Sequence, residues 1–158
     1  MLRGALFIFL IFTSTFSEAR SFQLSLTPHI LSADMKIYIS PNSLGVDNNI
    51  YITNSFPDFF VCYTNKPIEG AIEVEYEYNA IEADYRFCFV ESALYADKKI
   101  YLSSTGVGSD FRIGFTNKPT IYSTNIYIKG IDVKKISDYE KIAIFLALKE
   151  LEIKLNRL

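Results

Sequence analysis

A chain of 158 residues is long enough for one domain with a buried core, and its 49% hydrophobic and 22% charged residues are ordinary globular values that indicate neither disorder nor a bundle of membrane helices. A formal net charge of −2 gives no electrostatic footprint for nucleic acid, which sets that class of partner aside. Eleven Tyr and thirteen Phe without a single Trp point to β-structure, where aromatic side chains pack well on a pleated surface.

Residues 1–19 have the layout of a secretory signal. Arg3 supplies the positive start, "ALFIFLIF" from Ala5 to Phe12 is the apolar run, and "SEA" at Ser17 to Ala19 offers small residues for cleavage. An apolar run of this length falls short of the roughly 20 residues that a spanning helix needs, so no stable membrane span is expected after cleavage. Residues 20–32 read as a lead-in.

From Ala33 the sequence repeats. Similar phrases begin at positions 33, 46, 57, 70, 83, 96, 109 and 122, such as "ADMKIYI", "ADYRFCF", "ADKKIYL" and "SDFRIGF"; every step is thirteen residues except one of eleven. The fifth position of each copy, from Ile37 to Ile126, and the seventh, from Ile39 to Ile128, are apolar or aromatic and share one face of a strand. The fourth and sixth positions face the other way and hold Lys36, Asn49, Glu73, Arg86, Lys99 and Arg112 together with Tyr38, Tyr51, Tyr101 and Tyr127. Between strands lie turn segments such as "SPNSLG", "TNKPIE" and "SSTGVG", where Gly accepts a positive φ and Pro denies the ladder a donor. A repeat this short buries nothing alone, so residues 33–136 are expected to fold as one mainly β domain of about eight short strands. Residues 137–158 close the chain as an amphipathic helix, with Ser137 and Glu140 spaced as a capping box and Ile144, Leu148, Leu151, Leu155 and Leu158 as its apolar stripe, laid on the β-core or closing its open end.

The phrase "EYNAIEADYRFCFVESALYADKKIYLSS", with Ala-Asp ahead of a strand at a spacing of thirteen, resembles the septoil-knot domain, a bacterial family of unknown function. The resemblance runs from about Ala33 to Gly130 and implies a chain wound into a knot with seven crossings; it brings no catalytic residues. Copy four, with Ala71 in place of Asp, and the shorter second copy depart from the pattern, and a slightly different winding gives an unknotted solenoid or barrel.

Four sets of residues invite a functional reading. Tyr38, Tyr51, Tyr101 and Tyr127 form an aromatic outer row suited to contact with an envelope protein or, as stacking platforms, with a glycan. Glu73, Glu75 and Glu77 alternate along one strand face, where like charges repel; cross-strand Lys and Arg neutralise them, or the face meets a cation, a basic partner or, as acid and base, a substrate. Cys62 and Cys88 are the only cysteines, and an exported pair usually bridges. Asp34, Asp47, Asp58, Asp84, Asp97 and Asp110 recur at the second repeat position, either as bonds to backbone N–H groups or as oxygen ligands for Ca²⁺; their spread, one to a strand, favours the former. The lone His29 has no partner motif, and "GVGSD" lacks the Lys of a phosphate loop.

Together these readings predict a periplasmic or secreted β-repeat domain without cofactor or metal, acting as a non-enzymatic envelope interaction or structural module. The alternative is an envelope hydrolase or glycan-binding protein using the Glu73/Glu75/Glu77 face or the tyrosines.

Overall fold

The computed structural model describes residues 20–155; the signal expected at residues 1–19 lies outside the described residues, as does Leu158 of the expected stripe. Nine strands, β1 (Ser21–Leu26), β2 (Met35–Ile39), β3 (Asn48–Ile52), β4 (Phe59–Thr64), β5 (Ile72–Tyr78), β6 (Tyr85–Phe89), β7 (Lys98–Ser103), β8 (Phe111–Thr116) and β9 (Ser123–Lys129), precede one helix, α1 (Asp138–Leu155). The extra strand is the segment read as a lead-in. Phe22, Leu24 and Leu26 occupy the third, fifth and seventh positions of a copy starting at Arg20, thirteen residues before Ala33, but without the Ala-Asp opening.

All nine strands run parallel and close into a barrel in the order β1-β5-β9-β4-β8-β3-β7-β2-β6. Each step along the chain therefore moves two strands around the wall. Parallel neighbours cannot be joined by hairpins, so every connection returns along the outside from the end of one strand to the start of the next and crosses the strand it skips.

The register explains how wide the barrel is. Leu24, fifth in its copy, lies opposite Tyr76, seventh in its copy, and opposite Tyr85, third in its copy; the same two-residue slip recurs at every pairing. A slip of about 6.6 Å along the strand for about 4.8 Å between strands tilts the strands by about 54°, steeper than the usual range of about 35–45°. Nine strands so tilted enclose a cylinder of about 12 Å radius, which accommodates a helix roughly 10–12 Å across.

That helix is α1. Ile142, Ala143, Ile144, Phe145, Ala147 and Leu148 are all at most 4% exposed, and they point to every side of the helix axis. Strands from around the wall reach it: Tyr63 of β4 donates to the carbonyl of Lys141, Tyr76 of β5 to Glu140 (2.9 Å) and Tyr85 of β6 to Glu150, while Lys98 of β7 pairs with Glu150 (3.5 Å). The first turn meets seventh-position residues and the later turns meet third-position residues such as Phe59 and Tyr85, so α1 runs down the lumen antiparallel to the strands. Its buried surface is thus wider than a stripe. The charges that make the sequence look one-sided, Glu140, Lys141 and Glu150, sit near the two mouths. The fifth-position ring, from Leu24 to Ile126, is at most 1% exposed and forms the middle of the core around the helix.

The start of α1 is capped as its sequence demands. Ser137 Oγ accepts from the Glu140 N–H (3.2 Å), and Glu140 Oε2 accepts from the Ser137 N–H (3.0 Å) and hydroxyl (2.7 Å). Glu140 Oε1 takes hydroxyl bonds from Tyr76 and from Tyr78 (3.0 Å). Burial alone would raise this carboxyl, but the bonds from Ser137 and the two tyrosines outweigh it and hold it below the usual carboxylate range.

Candidate functional site

The return loops decide which outer residues remain accessible. The loop after β7 lies over β3, with the Asn49 side chain donating to the Gly108 carbonyl (2.8 Å) and Gly106 against the ring of Tyr51. The loop after β3 lies over β8, where Gly114 leaves room for Pro57 and the Thr53 carbonyl. The loop after β4 lies over β9 through Asn65, which donates to the Ile128 carbonyl (3.0 Å), and the loop after β5 lies over β1 through the Ala80 N–H on Ser25 Oγ (3.0 Å).

The four tyrosines are half-buried in consequence. Tyr38, Tyr51 and Tyr101 occupy three successive strands, β2, β3 and β7, whereas Tyr127 on β9 is separated from them by β4 and β8.

Cys62 and Cys88 do not bridge. Both are buried free thiols, on β4 and β6, with β9, β5 and β1 between them one way round the barrel and four strands the other. Burial raises both thiols above the ordinary value, as expected of small packing groups.

The recurrent aspartates are clasps. Backbone N–H groups of Gln23, Lys36, Asn49, Arg86, Lys99 and Arg112 donate to Asp84, Asp97, Asp110, Asp34, Asp47 and Asp58 at 2.6–2.8 Å. Five of these aspartates return a bond from their own N–H to the carbonyl of the same residue, so each fastens a strand start to its neighbour. The clasps run without a break from β4 through β8, β3, β7, β2 and β6 to β1. They stop at β5 and β9, where Ala71 and Ser123 stand at the second position.

β5 differs in a second way. After β9 the chain turns over the rim through the 3-10 turn Val133–Lys135 into α1, so no return loop follows to cross β5. Its sixth position, Glu75, is the one sixth position of the nine that is exposed; the others are Ser, Tyr, Cys or Gly, buried or half-buried beneath loops. Glu77 is exposed beside it. The cations expected to neutralise this strand do not reach it, because Lys36 pairs with Asp97 (3.6 Å) and Arg86 with Asp34 (3.8 Å) on distant strands. Lys129 of β9, which stands opposite Glu75 in the ladder, makes its ion pair with Glu73. That bond, with the charge of Lys129 and a weaker bond from Ser21, holds the Glu73 carboxyl below its ordinary value.

Between the free outer face of β5 and the loop that crosses β1 lies a cleft of about 490 Å³, lined by Gln23, Glu75, Glu77, Asn79, Ile81 and Glu82 among others, with no Lys or Arg among its lining residues. Gln23 donates to Glu75 (3.3 Å) across its floor, and Ile81, 85% exposed, stands on its rim. The sequence marks Glu75 and Glu77, with Glu82 near them, but not Ile81, which comes to the site only because the β5–β6 loop is laid over β1.

Among the described residues no group of three or more His, Cys, Asp or Glu is placed to hold a metal ion, and no helix is long and apolar enough to cross a membrane. No protein-family model, curated protein or solved structure matches the chain.

Proposed function

We propose that this protein is an exported, non-enzymatic interaction module, periplasmic or secreted, that presents the open face of β5 to a basic partner in the cell envelope. The observation that carries this reading is the missing ninth return loop, which leaves Glu75 and Glu77 exposed and without an ion pair beside a cleft whose rim adds Glu82 and the exposed Ile81. A face with carboxylates around an apolar anchor suits a partner segment with Lys or Arg flanking an aliphatic side chain.

The test is fluorescence titration with a labelled peptide that alternates Lys and Leu, run at low and physiological salt. Binding that weakens with salt and disappears in the double variant Glu75→Lys/Glu77→Lys supports the assignment. Equal binding by wild type and variant removes it. Export is tested separately by N-terminal sequencing of the protein from its native cell, which should begin near Arg20.

We also propose that the chain is a septoil-knot protein. Support comes from the two-strand advance per repeat and from loops laid outside each skipped strand, the winding of a torus knot. Joining engineered terminal cysteines in the native state and, separately, in denaturant makes chemically identical rings. The natively closed ring should migrate faster on a denaturing gel, and equal migration would sink the knot.

A further inference from the structure

At the rim where α1 enters the lumen, a second cleft of about 570 Å³ opens between the ends of β4 and β8 and the segment leading into α1. Its walls carry a chemistry opposite to that of the β5 face. Phe60 and Phe115 supply aromatic surface, Asn54 and Asn117 supply amides, and Lys134 and Lys141 supply cations.

The local structure holds these groups in place. Thr53 Oγ1 accepts from the Ser55 N–H (3.0 Å) and Thr116 Oγ1 from the Lys118 N–H (3.1 Å), so the two amides project from matching turns at the ends of the adjacent strands β3 and β8. Asn65 fixes the opposite wall, donating to the Ile131 carbonyl (2.8 Å) and accepting from the Val133 N–H (2.9 Å). Lys141 Nζ lies 5.4 Å from the centre of the Phe115 ring and 3.1 Å from Asp138 Oδ1, which offsets part of its charge. Lys134 is exposed, and no carboxylate is among the lining residues.

We infer that this cleft binds an acidic saccharide. The C–H face of a pyranose ring stacks on Phe60 and Phe115, its hydroxyls exchange hydrogen bonds with Asn54 and Asn117, and its carboxylate meets Lys134 with Lys141 behind it. Aromatic surface selects a ring, the amides select hydroxyls, and the cations select the charged sugar over the neutral one. The site is separate from the β5 face in both position and charge.

The test is isothermal titration of the full chain with a tetramer of galacturonic acid, with its methyl-esterified form, with acetate and with inorganic phosphate. The acidic tetramer should bind at least about 10-fold more tightly than the neutral ester, as loss of one charge-assisted contact implies, and acetate and phosphate should not compete at equal concentration. Lys134→Gln should cut affinity for the acidic tetramer by about 10-fold while leaving the thermal midpoint unchanged, since Lys134 is exposed, and Phe60→Ala should weaken both saccharides. Glu75→Lys/Glu77→Lys should leave this binding intact. Equal affinity for the two tetramers, displacement by acetate or phosphate, no binding at all, or unchanged binding by Lys134→Gln would each overturn the inference.

Discussion

Ile142 and Ile144 stand two residues apart on α1, about 200° around its axis, so a helix lying against one surface cannot bury both. Both are at most 1% exposed in the lumen. Replacing either by Ala removes three carbons from contact with the wall, about 2.4 kcal/mol by transfer, and a residual cavity of about 50 Å³ adds about 1 kcal/mol more. Each single variant should therefore lose about 3–4 kcal/mol. With a denaturant slope of about 2 kcal/mol per M, the urea midpoint should fall by about 1.5–2 M in each case. An exposed helical position behaves in the opposite sense, since Ala is the better helix former by up to about 0.7 kcal/mol. Equilibrium urea unfolding followed by tyrosine fluorescence decides the matter. A large loss at one position with no loss, or a gain, at the other would refute a helix enclosed on all sides.

Three further outcomes follow from the loops and the mouth of the barrel. Gly114→Ala should destabilise by about 2 kcal/mol or more in thermal unfolding, because a new Cβ would stand 2.8 Å from Pro57 and 2.9 Å from the Thr53 carbonyl of the overlying loop. Asp97→Ala should cost about 1–2 kcal/mol by the same assay, as loss of a helix cap does, because the Lys36 N–H loses its acceptor, while Asp97→Asn should cost less. Glu140 has a folded value below its unfolded one, so it adds stability above about pH 4.3 that is lost as pH falls through the folded value; Glu140→Gln should be less stable at pH 7 and flatten the decline below pH 5.

Much of the wall was legible because the repeat writes it out. Positions five and seven of each copy are the inward ones, and the same spacing extends back to Phe22, Leu24 and Leu26 once the Ala-Asp opening is not demanded. Strand order was not legible, because every pairing joins copies four or five apart and all copies carry nearly the same residues. Three consequences were lost with it. Cys62 and Cys88 share a repeat position but not a neighbourhood; the cations Lys36 and Arg86 serve aspartates on other strands; and the tyrosines lie beneath loops that come from elsewhere in the chain. The odd composition of copy four was visible as Glu73, Glu75 and Glu77, yet its cause was not. It depends on where a ninth loop would have run, and that segment instead enters the lumen as α1. The basic cleft was invisible for the same reason, since its walls come from the ends of β3, β4 and β8 and from the segment before α1.

The most direct measurement of the proposed function is site-specific photocrosslinking in the native cell envelope, with the crosslinker placed at Glu77 on the open face of β5 or at Tyr51 beneath the β7–β8 loop. Crosslinks to a discrete basic partner from position 77, absent from position 51 and abolished by Glu75→Lys, are the predicted result. Crosslinks from position 51 with none from position 77 would contradict the assignment of β5 as the binding face.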